Sequence, residues 1–218
     1  MLMQGYPYAH WNDMSELNAF PATGHDQPSI KSYPSDLEET ISWNGYRVLL
    51  RPIRPDDEAQ HMRFLQAIDS ADMRMRLFSS RRKISHAELS HLTTIDYDLE
   101  MAFIATTSDP SGQTETIGVV RTISDAGYLL GEMAILVRSD LKGKGLGRLL
   151  LNKMIHYCQR RHIKELTASA LQGNSRMLAL AKSAGFAAIS TAAGVVELRL
   201  KLSLSGNYAL PTPAAIPL

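Results

Sequence analysis

The segment that most constrains the fold of this chain is VRSDLKGKGLGRLLL, residues 137–151. Glycine occupies positions Gly143, Gly145 and Gly147, and an apolar, helix-prone run follows directly. Because glycine at alternate positions weakens both helices and strands, this spacing indicates a turn in which bare backbone is required. An apolar run precedes the glycines, so the segment predicts a junction between a strand and a helix.

Such a junction is typical of an anion-binding site. Backbone N–H groups at a helix N-terminus point toward the ligand, and the helix dipole favours negative charge there. Lys142, Lys144 and Arg148 add positive charge to a candidate stretch that also includes Leu146. The arrangement favours a pyrophosphate group as the ligand. The alternative is a flexible glycine turn with a basic, solvated face.

Two common phosphate-binding loops do not fit the segment. A Walker A loop requires Lys-Ser/Thr after its last glycine, and none follows here. A dinucleotide-binding fingerprint requires a third glycine where this chain has Arg148 or Leu150, depending on which glycine is counted first. The pattern that remains is x-x-Gly-x-Gly between a strand and a helix.

Glu132 is the second unusual residue, because it interrupts the apolar run YLLGEMAILV. Alternation places Leu130, Ala134 and Leu136 on its face of a strand, and the other face is apolar too, which predicts a strand covered on both sides. An ionised carboxylate there costs free energy unless it is paired or hydrated. Either Glu132 reaches water or an arginine such as Arg121 at the strand end, or it is a general base with a raised pKa.

Composition narrows the class of protein. The 218 residues include one cysteine and carry a net charge of +1, which favours a cytoplasmic protein without disulfides and argues against a nucleic-acid partner. No apolar run is long enough for a membrane span, and the first residues lack the features of a secretion signal. No paired cysteines and no His-x-x-x-His spacing suggest a metal site.

Elements alternate along the chain in a way that predicts an α/β or α+β fold with a partly antiparallel sheet. Residues 1–40 are predicted to be an irregular extension, 41–204 the folded domain and 205–218 a loose tail. Within the domain, a capping box of Ser85 and Glu88 predicts the start of one helix. Gly185 is expected to end another in a left-handed conformation. Predicted helices are 55–67, 85–94, 147–161 and 175–184, and predicted strands are 47–53, 101–107, 116–122, 128–137, 166–170, 186–190 and 195–202.

Six ordered segments resemble the GNAT acyltransferase superfamily, and in particular the acetyltransferase domain of bacterial Pat-type protein lysine acetyltransferases. They are YPSDLEETI, VLLRPIRPDD, LTTIDYDLEMAFIA, GEMAILVRSDLKGKGLGRLLL, GNSRMLALAKSAGF and GVVELRL. The glycine segment resembles the Gln/Arg-x-x-Gly-x-Gly/Ala loop that holds the pyrophosphate of acetyl-CoA. The resemblance implies a GNAT fold with a mixed, mostly antiparallel sheet of six to seven strands and about four helices.

The resemblance also implies roles for individual residues. Glu132 matches the glutamate that deprotonates the incoming lysine through a water molecule. Backbone groups of Ile135, Leu136 and Val137 match those that hydrogen-bond the pantetheine arm and stabilise the oxyanion. Asn174 matches an asparagine that contacts the coenzyme, although an asparagine at the start of a helix also serves as a simple N-cap.

The chain departs from the family pattern at two positions. Lys142 stands where the loop has Gln or Arg, so a positive charge remains without the planar fork of arginine. Ala181 stands where many relatives carry a tyrosine that protonates the leaving thiolate, which leaves water as the expected acid. The expected reaction is direct acetyl transfer from acetyl-CoA, without a metal, to a protein lysine, and the resemblance to Pat-type enzymes implies acyl-CoA synthetases as one class of target. A small amine as acceptor and a non-catalytic CoA-binding module are the alternatives.

Overall fold

The structure is a computed structural model that describes residues 31–77, 84–108 and 111–203. Most of the predicted extension and all of the predicted tail at 205–218 lie outside the described residues. The domain boundaries at 41 and 204 therefore stay predictions.

One sheet of eight strands organises the described chain, in the spatial order β1-β2-β3-β4-β5-β6-β8-β7. All neighbouring strands are antiparallel except β5 and β6, which are parallel. The strands are β1 Glu39–Trp43, β2 Tyr46–Pro52, β3 Glu100–Ser108, β4 Thr114–Ser124, β5 Leu130–Val137, β6 Glu165–Leu171, β7 Ala187–Ala192 and β8 Val195–Lys201.

The described α-helices are α1 Glu58–Gln66, α2 Ser70–Leu77, α3 His86–Thr93, α4 Leu146–Arg160 and α5 Ser175–Ser183. The predicted cap of α3 is confirmed, since Ser85 Oγ accepts from Glu88 N at 3.2 Å and Glu88 Oε2 accepts from Ser85 N at 2.7 Å. Gly185 follows α5 with a φ of 93°, as expected for a left-handed end. None of the helices in the described part of the chain is long and apolar enough to span a membrane.

The helices cover the two faces of the sheet unequally. A Cβ added at Gly118 of β4 would lie 2.8 Å from Leu150 Cδ1, so α4 packs on that face. Arg121 lies three residues further along β4 and its side chain points to the opposite face, where its Nη2 donates to the Leu92 carbonyl of α3. Glu132 pairs in register with Ile123, which shares the face of Arg121. Glu132 is therefore directed to the α3 side of the sheet, away from α4.

The predicted counts of six to seven strands and about four helices were too low, because β1 and α2 were not predicted. Strand β1 is a half-exposed edge strand with little apolar patterning, and it forms by pairing with β2. Their turn, Asn44-Gly45, has φ values of 48° and 80°, the left-handed geometry that Asn-Gly favours in a hairpin. Helix α2, SADMRMRL, alternates arginine and methionine, so it shows no continuous apolar stripe.

Candidate functional site

The site begins where strands β5 and β6 separate. Their parallel pairing joins Leu130–Glu132 to Glu165–Thr167 and stops there. On its other side β5 stays paired with β4 as far as Val137. Past Glu132, β5 therefore presents one backbone edge without a strand partner in the described sheet, and an extended ligand with amide groups can bond to such an edge.

A cleft of about 480 Å³ occupies this opening. Its walls come from β5, from the loop before α4, from α2 and from α5. The lining residues are Asp72, Met75, Arg76, Glu132, Met133, Ala134, Ile135, Leu136, Val137, Leu141, Lys142, Gly143, Gly145, Gly147, Arg148, Ser169, Asn174, Arg176, Met177, Ala179, Leu180 and Ser183.

The glycine loop forms one end of the cleft. Gly143 and Gly145 have φ values of 77° and 88°, and Gly145 is the N-cap of α4. A Cβ at either position would meet no other atom within 4 Å, so the glycines leave open space above the loop. The first N–H groups of α4 have no acceptor within the helix and lie at the same end, which fits an anionic group.

The β1–β2 hairpin supports the loop from behind. Trp43 Nε1 donates to the Lys144 carbonyl at 2.7 Å, and Asn44 Nδ2 donates to the same oxygen at 3.3 Å. Lys144 also lines a separate depression beside Trp43 and Tyr46. The backbone carbonyl of Lys144 therefore ties the loop to the hairpin.

Most of the residues selected from the sequence come together in the cleft, and two do not line it. Leu146 is fully buried, and Lys144 lines the depression just described. Ten line it: Glu132, Ile135, Leu136, Val137, Lys142, Gly143, Gly145, Gly147, Arg148 and Asn174.

Lys142 has a partner that the sequence did not predict. Its Nζ lies 2.6 Å from Asp72 Oδ1 of α2, and Ser139 Oγ donates to Asp72 Oδ2 at 2.6 Å. Burial alone would raise the pKa of Asp72, but the hydrogen bonds from Lys142 and Ser139 outweigh it, so the pKa lies below its usual range. The lysine at the unusual position of the motif is therefore bound to a carboxylate.

Glu132 lies at the point where the strands separate, with its half-buried side chain in the cleft. Burial raises the pKa of this carboxyl to about 7, and the nearby Arg76 guanidinium offsets part of that shift. At neutral pH the group is divided between its two protonation states. A carboxylate with such a pKa can accept a proton and release it again to water.

Arg121, the alternative partner considered for Glu132, has other contacts. Its guanidinium bonds to the Glu100 carboxylate and to the Leu92 carbonyl. The cation that acts on Glu132 is instead Arg76, on the helix that sequence analysis missed. The charged pair Asp72 and Arg76, four residues apart, was the available signal, because such a pair shares one helix face.

Asn174 has the capping role that its position favours. Its Oδ1 accepts from Met177 N at 3.1 Å, at the start of α5, and the residue also lines the cleft. In the described ranges, no group of His, Cys, Asp or Glu residues is arranged to hold a metal ion.

Comparisons with known proteins agree with this geometry. The family model described as Acetyltransferase (GNAT) domain matches residues 47–187. A curated acetyltransferase of Pseudomonas aeruginosa is 27% identical over 143 residues, which are 66% of this chain and 76% of that protein.

Solved structures show the same fold. The GNAT domain of S. lividans PAT has a TM-score of 0.70 at 24% identity, over 78% of this chain and all of that domain. Spermidine N-acetyltransferase from Vibrio cholerae, in complex with CoA and spermine, has a TM-score of 0.56 at 18% identity, over 71% of this chain and 95% of that one. With the family match spanning most of the described domain, this chain belongs to the GNAT family and is an acetyl-CoA-dependent N-acetyltransferase.

Proposed function

We propose that this enzyme transfers the acetyl group of acetyl-CoA to the ε-amine of protein lysines, with Glu132 as the general base. The observation that carries the proposal is the position of Glu132, a carboxyl of pKa about 7 at the point where β5 and β6 separate. A lysine ammonium has a pKa of about 10.4 and is not a nucleophile until it loses a proton. The site must therefore hold a proton acceptor next to the thioester, and Glu132 meets that requirement.

The lining of the cleft suits two successive parts of acetyl-CoA. The open backbone at Gly143 and Gly145, with Gly147 and Arg148 following it in the lining, suits the pyrophosphate. The unpaired edge at 135–137, on the same strand as Glu132, suits the amide groups of the pantetheine arm. Bound there, acetyl-CoA supplies an activated acetyl group.

The residues of the chain have separate roles in the transfer. Glu132 takes one proton from the lysine ammonium, directly or through water, and the resulting amine attacks the thioester carbon. A C–N bond forms, the C–S bond breaks, and a backbone N–H of the 135–137 edge stabilises the negative charge on the carbonyl oxygen. The nitrogen then loses its second proton to water, which completes the amide. The position equivalent to the tyrosine of other GNAT enzymes is Ala181, which is fully buried and carries no acidic group, so water also delivers a proton to the departing thiolate.

The charges in the cleft support a lysine rather than a polyamine as acceptor. Glu132 and Asp72 are the carboxylates among the described lining residues, and Asp72 is already bonded to Lys142 and Ser139. A polyamine would bring its second and third ammonium groups into a cleft whose lining also carries Arg76 and Arg176. A lysine side chain carries a single positive charge, which the Glu132 carboxylate can neutralise.

We place the reaction in the cytoplasm, since a single buried cysteine suits a reducing compartment.

The test is incubation of the protein with acetyl-CoA and a cell lysate, followed by acetyl-lysine proteomics, in parallel with spermidine and other small amines as acceptors. We expect new acetyl-lysine sites that depend on the enzyme and are absent with Glu132→Gln. Efficient turnover of a small amine without protein acetylation would establish the alternative acceptor class. Acetyl-CoA binding in calorimetry without any transfer would indicate a CoA-binding module.

A further inference from the structure

Helix α2 connects the glycine loop with the proposed base. Near its start, Ser139 Oγ accepts from Asp69 N at 3.0 Å and donates to Asp72 Oδ2 at 2.6 Å. Asp72 also holds Lys142 at 2.6 Å. Three hydrogen bonds therefore fix the first turns of α2 to the segment that leads into Gly143.

Arg76 lies one helical turn beyond Asp72, on the same face of α2. Both residues line the cleft, and α2 packs against both β5 and β6, the two strands whose separation opens the cleft. The Arg76 side chain is therefore held at the end of the cleft that contains Glu132.

Among the described residues, Arg121 of β4, Thr167 of β6 and His61 of α1 are bonded elsewhere or uncharged. On β4, Arg121 bonds to Glu100 of β3 and to the Leu92 carbonyl of α3. The register partner of Glu132 on β6 is Thr167, which carries no charge. On α1, burial and the Arg121 charge lower the pKa of His61 to about 3, so its ring is neutral.

We propose that Arg76 is a positioning residue for Glu132: α2, anchored at Asp72 to the glycine loop, holds the guanidinium beside the base and keeps its carboxylate ready to accept the substrate proton. The inference rests on the proposed role of Glu132. It assigns a function to the Asp72–Lys142 pair as well. The pair fixes α2, so the loop that receives the coenzyme and the base that receives the proton keep a constant relative position.

The electrostatics of the pair agree with this geometry. Burial lowers the pKa of Arg76 to about 10, so the guanidinium is charged at neutral pH. Its charge favours the ionised form of Glu132 and opposes the effect of burial. Without that charge, a larger fraction of Glu132 would be protonated at pH 7 and unable to act as a base.

The experiment compares Arg76→Gln with Arg74→Gln. Arg74 lies on the same helix, is exposed and does not line the cleft, so its substitution removes the same charge without touching the site. Two quantities are measured against pH: kcat/KM for acetyl transfer to a lysine-containing peptide, and the side-chain ¹³C shift of Glu132 in glutamate-labelled protein. Its resonance is assigned by its loss in Glu132→Gln.

With Arg76→Gln we expect the midpoint of the acid limb and of the ¹³C titration to rise by about one pH unit, with about fivefold slower transfer at pH 7 and recovery at higher pH. Arg76→Lys should restore most of the wild-type profile, and Arg74→Gln should leave it unchanged. Arg76→Met is the second neutral variant, in case the glutamine variant does not fold.

Wild-type midpoints in the neutral variants would overturn the inference. That failure is distinct from a failure of the proposed function. If Glu132→Gln transfers acetyl at the wild-type rate and with the wild-type pH profile, the base assignment is wrong, whereas the ¹³C titration still tests whether Arg76 acts on Glu132.

Discussion

The two sides of strand β5 differ in a way that separates stability from function. Toward β4, pairing is continuous from Gly131 to Val137, opposite Ser124 to Gly118. Toward β6, pairing covers Leu130 to Glu132 and then stops. One strand therefore has a closed edge along its whole length and an edge that is open over its second half.

The packing next to the two edges of β5 also differs. Next to the edge that pairs with β4 (the closed side), the fully buried Leu146 and Leu150 of α4 pack against Gly118 of β4, so that region is close-packed. Next to the edge without a strand partner (the open side), the cleft exposes the backbone of β5, and the half-buried Glu132 lies where the pairing with β6 ends. Substitutions on the closed side should therefore change the free energy of unfolding, and those on the open side should change binding or rate.

The largest expected effect is on the open side, at Glu132. Glu132→Gln should lower kcat/KM at neutral pH by about 10²- to 10⁴-fold, because the general base is lost while the shape is kept. In the wild type, the base is active when deprotonated, so with a pKa of about 7 the rate should fall tenfold per pH unit well below pH 7. Acetyl-transfer rates from pH 5 to 9 measure the loss of kcat/KM in the variant and the pH dependence of the wild type. Calorimetry should show unchanged acetyl-CoA affinity. Equal rates for the two proteins would remove Glu132 from the mechanism.

The next effect is at the glycine loop. Gly145→Val should weaken acetyl-CoA binding tenfold or more, roughly the effect of losing one well-made anion contact, because the side chain would enter the open space over the loop and disfavour its left-handed φ. Gly112→Val is the matched control, with a φ of 84°, open surroundings and a position outside the cleft. Calorimetric titration with acetyl-CoA measures the affinity of each variant. Equal affinities for the two variants would mean that the loop is only a turn.

A smaller effect is expected on the closed side, at Gly118. Gly118→Ala should lower the free energy of unfolding by about 1–3 kcal/mol, because the new Cβ would lie 2.8 Å from Leu150 Cδ1. The KM for acetyl-CoA should stay near the wild-type value. Gly127→Ala is the control, since its Cβ would have only ordinary contacts, the nearest at 3.6 Å. Denaturant unfolding followed by circular dichroism gives the comparison, and a lowered affinity with unchanged stability would contradict the division between the sides.

The smallest effect is expected at Asn174, which caps helix α5 and also lines the cleft. Asn174→Ala should cost about 1 kcal/mol of stability, because the Oδ1 cap on Met177 N is lost. Ser85→Ala removes a comparable cap on α3, outside the cleft. If Asn174 also contacts the coenzyme, its variant should raise the KM for acetyl-CoA while Ser85→Ala does not. Identical kinetics for the two variants would leave Asn174 as a cap alone.

Local sequence rules predicted the elements with strong local signals. The Ser85–Glu88 capping box and the Gly185 helix end follow from contacts within a few residues, and the structure has both. The Asn44-Gly45 turn carried an equally local signal for the β1–β2 hairpin, so that strand could have been found. Helix α2 had only the weak signal of the Asp72–Arg76 spacing, and contacts such as Asp72 with Lys142, which is distant in sequence, help to hold it in place.

By itself, the sequence determined that bare backbone lies at the start of α4 and that a carboxylate interrupts an apolar strand, because glycine geometry and charge burial are properties of single residues in their local context. The tertiary structure decided where β5 and β6 separate, which face Glu132 takes and which cations act on it. Lys142, expected to serve an anion, lines the cleft and is also paired with Asp72, while the Arg76 charge acts on the proposed base. Those outcomes depend on elements that meet only after the chain folds, since Coulomb interactions and burial depend on distances in space.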